Sequence, residues 1–144
     1  MFQRILLAWD GSELALRAFD IAIDLARRYD AELLAVSVAY SPAHAETAAD
    51  RGESSDAAHR YLEETFREVA DRAERTGLSV EHHIILGDTP ARALADYAHE
   101  HSFDVIVCGH HHGGRAGRLL LHGVTEHLLA NTTIPLLIAS DRTR

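Results

Sequence analysis

The segment from Gly109 to Glu126 concentrates residue types that can do chemistry. It holds Gly109, Gly113, Gly114, Gly117 and Gly123, the histidines His110, His111, His112 and His122, and the cations Arg115 and Arg118. It follows the apolar run Val105-Ile106-Val107-Cys108 and leads into a helical pattern opening at Val124-Thr125-Glu126. Strand, glycine-rich loop and helix start form a layout that cradles phosphates. Glycines let backbone N–H groups approach an anion, and the helix start favours negative charge. The histidines stand where a simple phosphate cradle prefers glycine. They give two outcomes. Rings turned away leave the N–H groups of Gly123, Val124 and Thr125 free to meet a phosphate, with the Thr125 hydroxyl or an imidazole N–H adding a bond. Rings turned inward fill the phosphate space. Arg115 and Arg118 either neutralise phosphate charge or lie in a solvated loop.

Two other chemistries are weighed on the same residues. His110, His111, His112 and His122, completed by Asp10, suggest a zinc-type site, which commonly takes four ligands in tetrahedral array. Adjacent side chains diverge, however, so three consecutive histidines do not easily meet one ion, and no specific metal site is expected. Catalysis has no visible machinery: there is no Gly-x-Ser-x-Gly elbow, no Walker loop and no paired-carboxylate site. No catalytic residue is assigned, although slow nucleotide hydrolysis is not excluded.

Asp10 is the second candidate. It ends the apolar run Ile5 to Trp9 and precedes Gly11-Ser12. An Asp there either bonds turn amides or faces a ligand.

The elements that must position these residues alternate. Ile5 to Trp9 reads as a strand buried on both faces. Ser12 caps a helix running to about Tyr29, with Leu16, Phe19, Ile23 and Ala26 at helical spacing. Asp30 marks a turn, and Leu33 to Ala39 is the second strand. Residues 40–55, polar with Pro42 and Gly52, read as a mobile surface loop. A helix over Asp56 to Thr76 carries Tyr61, Leu62, Phe66, Val69 and Ala73 as its inner stripe, and Gly77 ends it. Val80 to Leu86 is a third strand. Thr89 caps and Pro90 opens a helix reaching about His101. Asp104 to Cys108, Val124 to Ala130 and Pro135 to Ala139 complete the order as strand, helix and strand. Such alternation gives a parallel sheet with helices on both faces and right-handed crossovers. Ligands then bind outside the carboxyl ends of the strands, where strand order reverses. Asp10, Gly109 and Val38 all stand at strand ends.

Bulk composition narrows the partners. The chain has 144 residues, enough for one domain, 1–144, with a sizeable core. Its net charge of −8 argues against binding nucleic acid or an anionic membrane surface. A local nest still suits a nucleotide. Eleven histidines, read mostly as solvated, would offset much of that charge in mild acid. The single Cys108 gives no disulfide and no Cys-based zinc site. No signal peptide or membrane span is read, so a cytoplasmic protein is expected.

The pieces together resemble the universal stress protein family over nearly the whole chain. They are Ile5-Leu6-Leu7-Ala8-Trp9-Asp10-Gly11-Ser12, Gly87-Asp88-Thr89-Pro90 and Asp104-Val105-Ile106-Val107-Cys108-Gly109. To these add Leu119-Leu120-Leu121-His122-Gly123-Val124-Thr125-Glu126 and Ile134-Pro135-Leu136-Leu137-Ile138. The resemblance implies an α/β fold, a five-stranded parallel sheet of order 3-2-1-4-5, like the adenine nucleotide alpha hydrolases. It implies a homodimer through the C-terminal strand 134–139, and a regulatory protein or transporter as downstream partner. It also implies an adenine nucleotide, ATP or AMP, with no metal beyond a nucleotide-associated Mg.

In the family's nucleotide binders the pattern is Gly, two residues, Gly, nine residues, then Gly and Ser or Thr. An Asp after strand one and a Val ending strand two serve the ribose and adenine. Asp10, Val38 and Gly109 match. The Val124-Thr125-Glu126 register then puts His112 and His122 at the next two glycines and Gly123 at the hydroxyl. A shifted register uses Gly113 and Gly123 instead. The expected nucleotide contacts are Ala8, Trp9, Asp10, Val38, Gly109, His111, His112, Gly113, His122, Gly123, Val124 and Thr125. Three functions follow: a stress-response regulator that binds adenine nucleotide, a nucleotide-independent dimeric interaction module, and a His-based metal sensor.

Overall fold

A computed structural model describes residues 1–40, 48–110 and 124–140. The elements alternate as the sequence implies: β1 (Arg4–Ala8), α1 (Glu13–Tyr29), β2 (Glu32–Tyr40), α2 (Ala48–Arg75), β3 (Glu81–Gly87), α3 (Pro90–Glu100), β4 (Val105–His110), α4 (Val124–Asn131) and β5 (Leu136–Ser140). The sheet is five-stranded in the order β3-β2-β1-β4-β5, and its four strand pairings are all parallel. β1 lies between β2 and β4, pairing Ala8 with Val36 and Leu7 with Val107. The strand order therefore reverses beside β1, as the resemblance implies.

Alternation along the strands divides the core. Ile5, Leu7, Leu33, Ala35, Val105 and Val107 face α1 and α2, against Phe19 and Phe66. Leu6, Ala8, Val36, Val38, Ile106 and Cys108 face α3 and α4, against Leu94 and Leu128. Continuous apolar runs are what a strand covered on both faces requires.

Local signals set the helix ends. Ser12, at φ −77° and ψ 164°, accepts the Ala15 N–H through its Oγ, which satisfies one of the unpaired first-turn donors. Asp30 closes α1 at φ 51°, a left-handed conformation that Asp tolerates. Gly77 follows α2 at φ +83°. Asp104 stands just before β4, and its Oδ2 accepts the N–H groups of Gln3 and Arg4 at 2.8 Å each. Those two bonds hold its carboxyl below the usual range.

Four expectations need correction. Residues 48–55 are helical and belong to α2, where the sequence suggested a loop. Ala48, Ala49, Ala57 and Ala58 favour extending a nucleated helix, and Gly52 costs only about 1 kcal/mol against that. Tyr61 is 46% exposed, outside the buried stripe of Leu62, Phe66, Val69 and Ala73. Gly109 does not end β4, which runs on through His110 opposite Ser140 of β5. Thr89 holds the cap position but makes no side-chain cap bond; its hydroxyl donates to Asp88 instead.

Candidate functional site at the strand ends

The register places the candidates. Continued past the last pairs, by two residues from Ala8↔Val36 and by three from Leu7↔Val107, the register carries Asp10 to the level of Val38 on β2 and of His110 on β4. His110 is thus a rim residue that the sequence reading left out of the contact set. Its Nε2 lies 3.6 Å from Glu126 Oε1, in the first turn of α4. The helical spacing of Glu126 was visible in the sequence; the extra residue of β4 that brings His110 to it was not.

Asp10 is only 4% exposed. Its Oδ1 accepts the Ser12 N–H at 2.9 Å, the turn-amide bond expected of Asp before Gly-Ser. Its second oxygen accepts no hydrogen bond from the described residues. A buried carboxylate oxygen needs a donor, and among the described residues none is present for this one. Gly11 makes the turn at φ +81°, and a Cβ there would meet Thr65 and Tyr61 of α2 at 3.0–3.1 Å.

Gly109 has a different reason to be glycine. A Cβ on it would stand 2.7 Å from the carbonyl of Leu14 in α1. The first glycine of the phosphate pattern thus also stands where the backbone of α1 passes close over β4.

Ala8 is fully buried and Val38 nearly so, both in the core facing α3 and α4. Val124 and Thr125 begin α4 and are buried. The Thr125 hydroxyl donates to the Gly109 carbonyl at 3.4 Å and also lies beside the Cys108 thiol. It is therefore turned back onto β4, where the sequence reading had considered it for phosphate. Burial pushes the Cys108 thiol up, despite the Thr125 contact, so Cys108 is an apolar filler here.

Trp9 is buried on the other face, edge-on to Phe19 and Phe66, and its indole N–H donates to Thr65 Oγ1 at 3.2 Å. Its carbonyl accepts the Ser37 hydroxyl at 2.6 Å. The sequence reading missed Ser37 and His82, which pair at 2.7 Å. Their signal was present: Ser37 interrupts the apolar run of β2 at a position facing the core.

His111, His112, Gly113, His122 and Gly123, with Arg115 and Arg118, lie outside the described residues. The direction of the two rings and the phosphate register lie there with them. Among the described residues no group of three or more His, Cys, Asp or Glu is arranged to hold a metal ion. No helix among them is long and apolar enough to cross a membrane.

Comparison with known proteins agrees with this architecture. The model of the universal stress protein family matches residues 1–140. A universal stress protein of Thermus aquaticus is 33% identical over 138 residues, covering 96% of this chain and 98% of that protein. A universal stress protein from Lactobacillus plantarum superimposes with a TM-score of 0.82 at 24% identity, covering 96% and 97% of the two chains. Another, solved in complex with cAMP, is 26% identical with a TM-score of 0.70, covering 95% and 96%.

Proposed function

The chain belongs to the universal stress protein family, and from that premise we propose that it is a cytoplasmic stress-response regulator that binds an adenine nucleotide without substantial catalysis. The site lies at the carboxyl ends of β1 and β4, between Asp10 and the first turn of α4. The observation that carries this reading is the second oxygen of Asp10, buried at a strand end with no donor among the described residues. A ribose hydroxyl supplies that donor, which a carboxylate at this depth favours. The relative solved with cAMP supports the same ligand class. Phosphate would meet the N–H groups that open α4, at Val124 and Thr125. Mg would enter only with the phosphates of ATP. No side chain is assigned to chemistry, so occupancy rather than turnover is the signal.

The same reading gives the protein a second copy as partner. β5 is an edge strand of the sheet, with Leu136, Leu137 and Ile138 half-buried. Pairing of two such edges covers them and satisfies the open backbone groups. A regulatory protein or transporter would then read the occupied dimer.

Calorimetry with ATP, AMP and cAMP tests the nucleotide site. Binding is expected for at least one of them, with Asp10→Ala weakening it by about tenfold through loss of a charged acceptor. No binding of any of the three at millimolar ligand removes the reading.

A second reading draws on Gly109 and Thr125. Both are explained by packing alone, through Leu14 and the Gly109 carbonyl. In that case the chain is a nucleotide-independent interaction module. Mass spectrometry of the denatured, freshly purified protein separates the two, because co-purified nucleotide counts against the module.

A further inference from the structure

Ser37 is a polar residue in the middle of β2, only 1% exposed, on the face packed by α2. Its Oγ lies 2.6 Å from the Trp9 carbonyl and 2.7 Å from His82 Nε2. A carbonyl only accepts, and a serine hydroxyl has one proton to give. Ser37 therefore donates to Trp9 and accepts from His82. This fixes the neutral His82 ring as the tautomer protonated on Nε2. The ring is also packed on Phe66, with 4.3 Å between centroids and 31° between planes. Phe66 in turn meets Trp9 edge-on at 5.9 Å.

Trp9 is thereby held at three points. Its N–H donates to the Val36 carbonyl at 3.0 Å, its carbonyl accepts Ser37, and its indole N–H donates to Thr65. Thr65 is anchored by its own bond to the Leu62 carbonyl at 3.2 Å. The Trp9 carbonyl belongs to the peptide that joins Trp9 to Asp10. Rotation of that peptide swings the Asp10 carboxylate, and the Ser37 bond opposes the rotation.

We infer that Ser37 and His82 are positioning residues for the crevice: they fix the Trp9–Asp10 peptide and, through it, the Asp10 carboxylate. Neither touches the ligand. The consequence for nucleotide affinity rests on the nucleotide reading of Asp10; the positioning itself does not.

The charge state of the pair follows from its surroundings. Among the described residues, the titratable groups acting on His82 are His59 from α2, paired with Glu63 at 3.4 Å, and its strand neighbour His83 on the opposite face, paired with Glu81 at 3.3 Å and with the Tyr97 hydroxyl at 2.9 Å. Burial, reinforced by the repulsion of His59 and His83, lowers His82 to about 4. At neutral pH the ring is an uncharged donor, so it steadies the peptide without adding a cation beneath the crevice.

Three variants test the inference: Ser37→Ala, His82→Leu and His82→Gln, which keeps an N–H donor but does not titrate. The first readout needs no ligand. It is the amide resonance of Ser12, whose N–H reports the Asp10 carboxylate directly. Ser37→Ala and His82→Leu are expected to move it, and His82→Gln to leave it near the wild-type position. The second readout is AMP affinity. Ser37→Ala and His82→Leu are expected to weaken it by about tenfold, and His82→Gln by less than about twofold, as for loss and retention of one buried hydrogen bond. An unmoved Ser12 resonance in Ser37→Ala overturns the inference, as does a His82→Gln protein indistinguishable from His82→Leu. If Ser37→Ala does not fold, the two His82 variants decide, since that ring lies on an edge strand. If wild-type protein binds no AMP, the nucleotide reading falls, and the Ser12 resonance alone judges the pair.

Discussion

An ideal Cβ on Gly109 would lie 2.7 Å from both the carbonyl carbon and the carbonyl oxygen of Leu14. That contact is backbone against backbone, so neither side can give way by changing a rotamer. The approach is set by the small residues on the inner face of α1, where Ala15, Ala18, Ala22 and Ala26 let the helix settle close to the sheet. Gly109→Ala is therefore expected to destabilise the fold by about 2 kcal/mol, as overpacking at a fixed contact does. Urea unfolding measures it. A wild-type midpoint in that variant would mean that α1 can lift from β4. Loss of nucleotide binding in Gly109→Ala says little about phosphate unless stability is measured beside it.

His82 ties stability to pH. Its folded value, lowered to about 4, lies below the ordinary histidine value of 6.5. As pH falls the unfolded chain takes up the proton first. The stability contributed by the neutral ring is thus complete above pH 6.5, declines between 6.5 and about 4, and is fully lost below that. With allowance for the part of the ring that water reaches, the loss amounts to roughly 2 kcal/mol. His82→Gln should flatten this part of the stability–pH curve, measured by urea midpoints from pH 7 to pH 4. A slope equal to that of wild type would show that other groups carry the acid sensitivity.

Asp104 works in the same sense, losing its contribution as pH falls, but in the lower, carboxylate range. Its carboxyl is held low by the N–H groups of Arg4 and Gln3, so its contribution is present above the ordinary carboxylate range and is lost as pH falls through it. Asp104→Ala is expected to cost about 1 kcal/mol near neutral pH and much less in strong acid, since the acid form of wild type has already lost the charged acceptor. Thermal unfolding at pH 7 and pH 3 checks this. An equal difference at both values would assign the residue a packing role instead.

Most of the architecture was legible in the residues. Unbroken apolar runs such as Ile5–Trp9 and Val105–Cys108 suit only strands covered on both faces. Ser12, Asp30 and Gly77 mark helix ends by local chemistry. Not every local reading survived: Thr89 takes the cap position of α3 without the cap bond. Residues 48–55 have loop-like composition but continue a helix whose nucleation is already met by its packed second half. Tyr61 precedes Leu62 by one residue, about 100° around α2, so it falls outside the stripe that Leu62, Phe66, Val69 and Ala73 form.

For the site, the sequence by itself determined which residues lie near the strand ends: Asp10, Val38 and Gly109 follow from the order of the elements, and the resemblance to the family follows from the order and spacing of the matching pieces. It could not say what each one does there. That depends on contacts between residues far apart in the chain. Only the tertiary structure decided that Gly109 is glycine because Leu14 passes over it, and that the Thr125 hydroxyl turns inward to the Gly109 carbonyl. It alone left one oxygen of Asp10 buried without a donor among the described residues, above a tryptophan held by Ser37 and His82. Residue type sets the chemistry a side chain can perform; burial and the neighbours brought by the sheet set which part of that chemistry is left for a ligand.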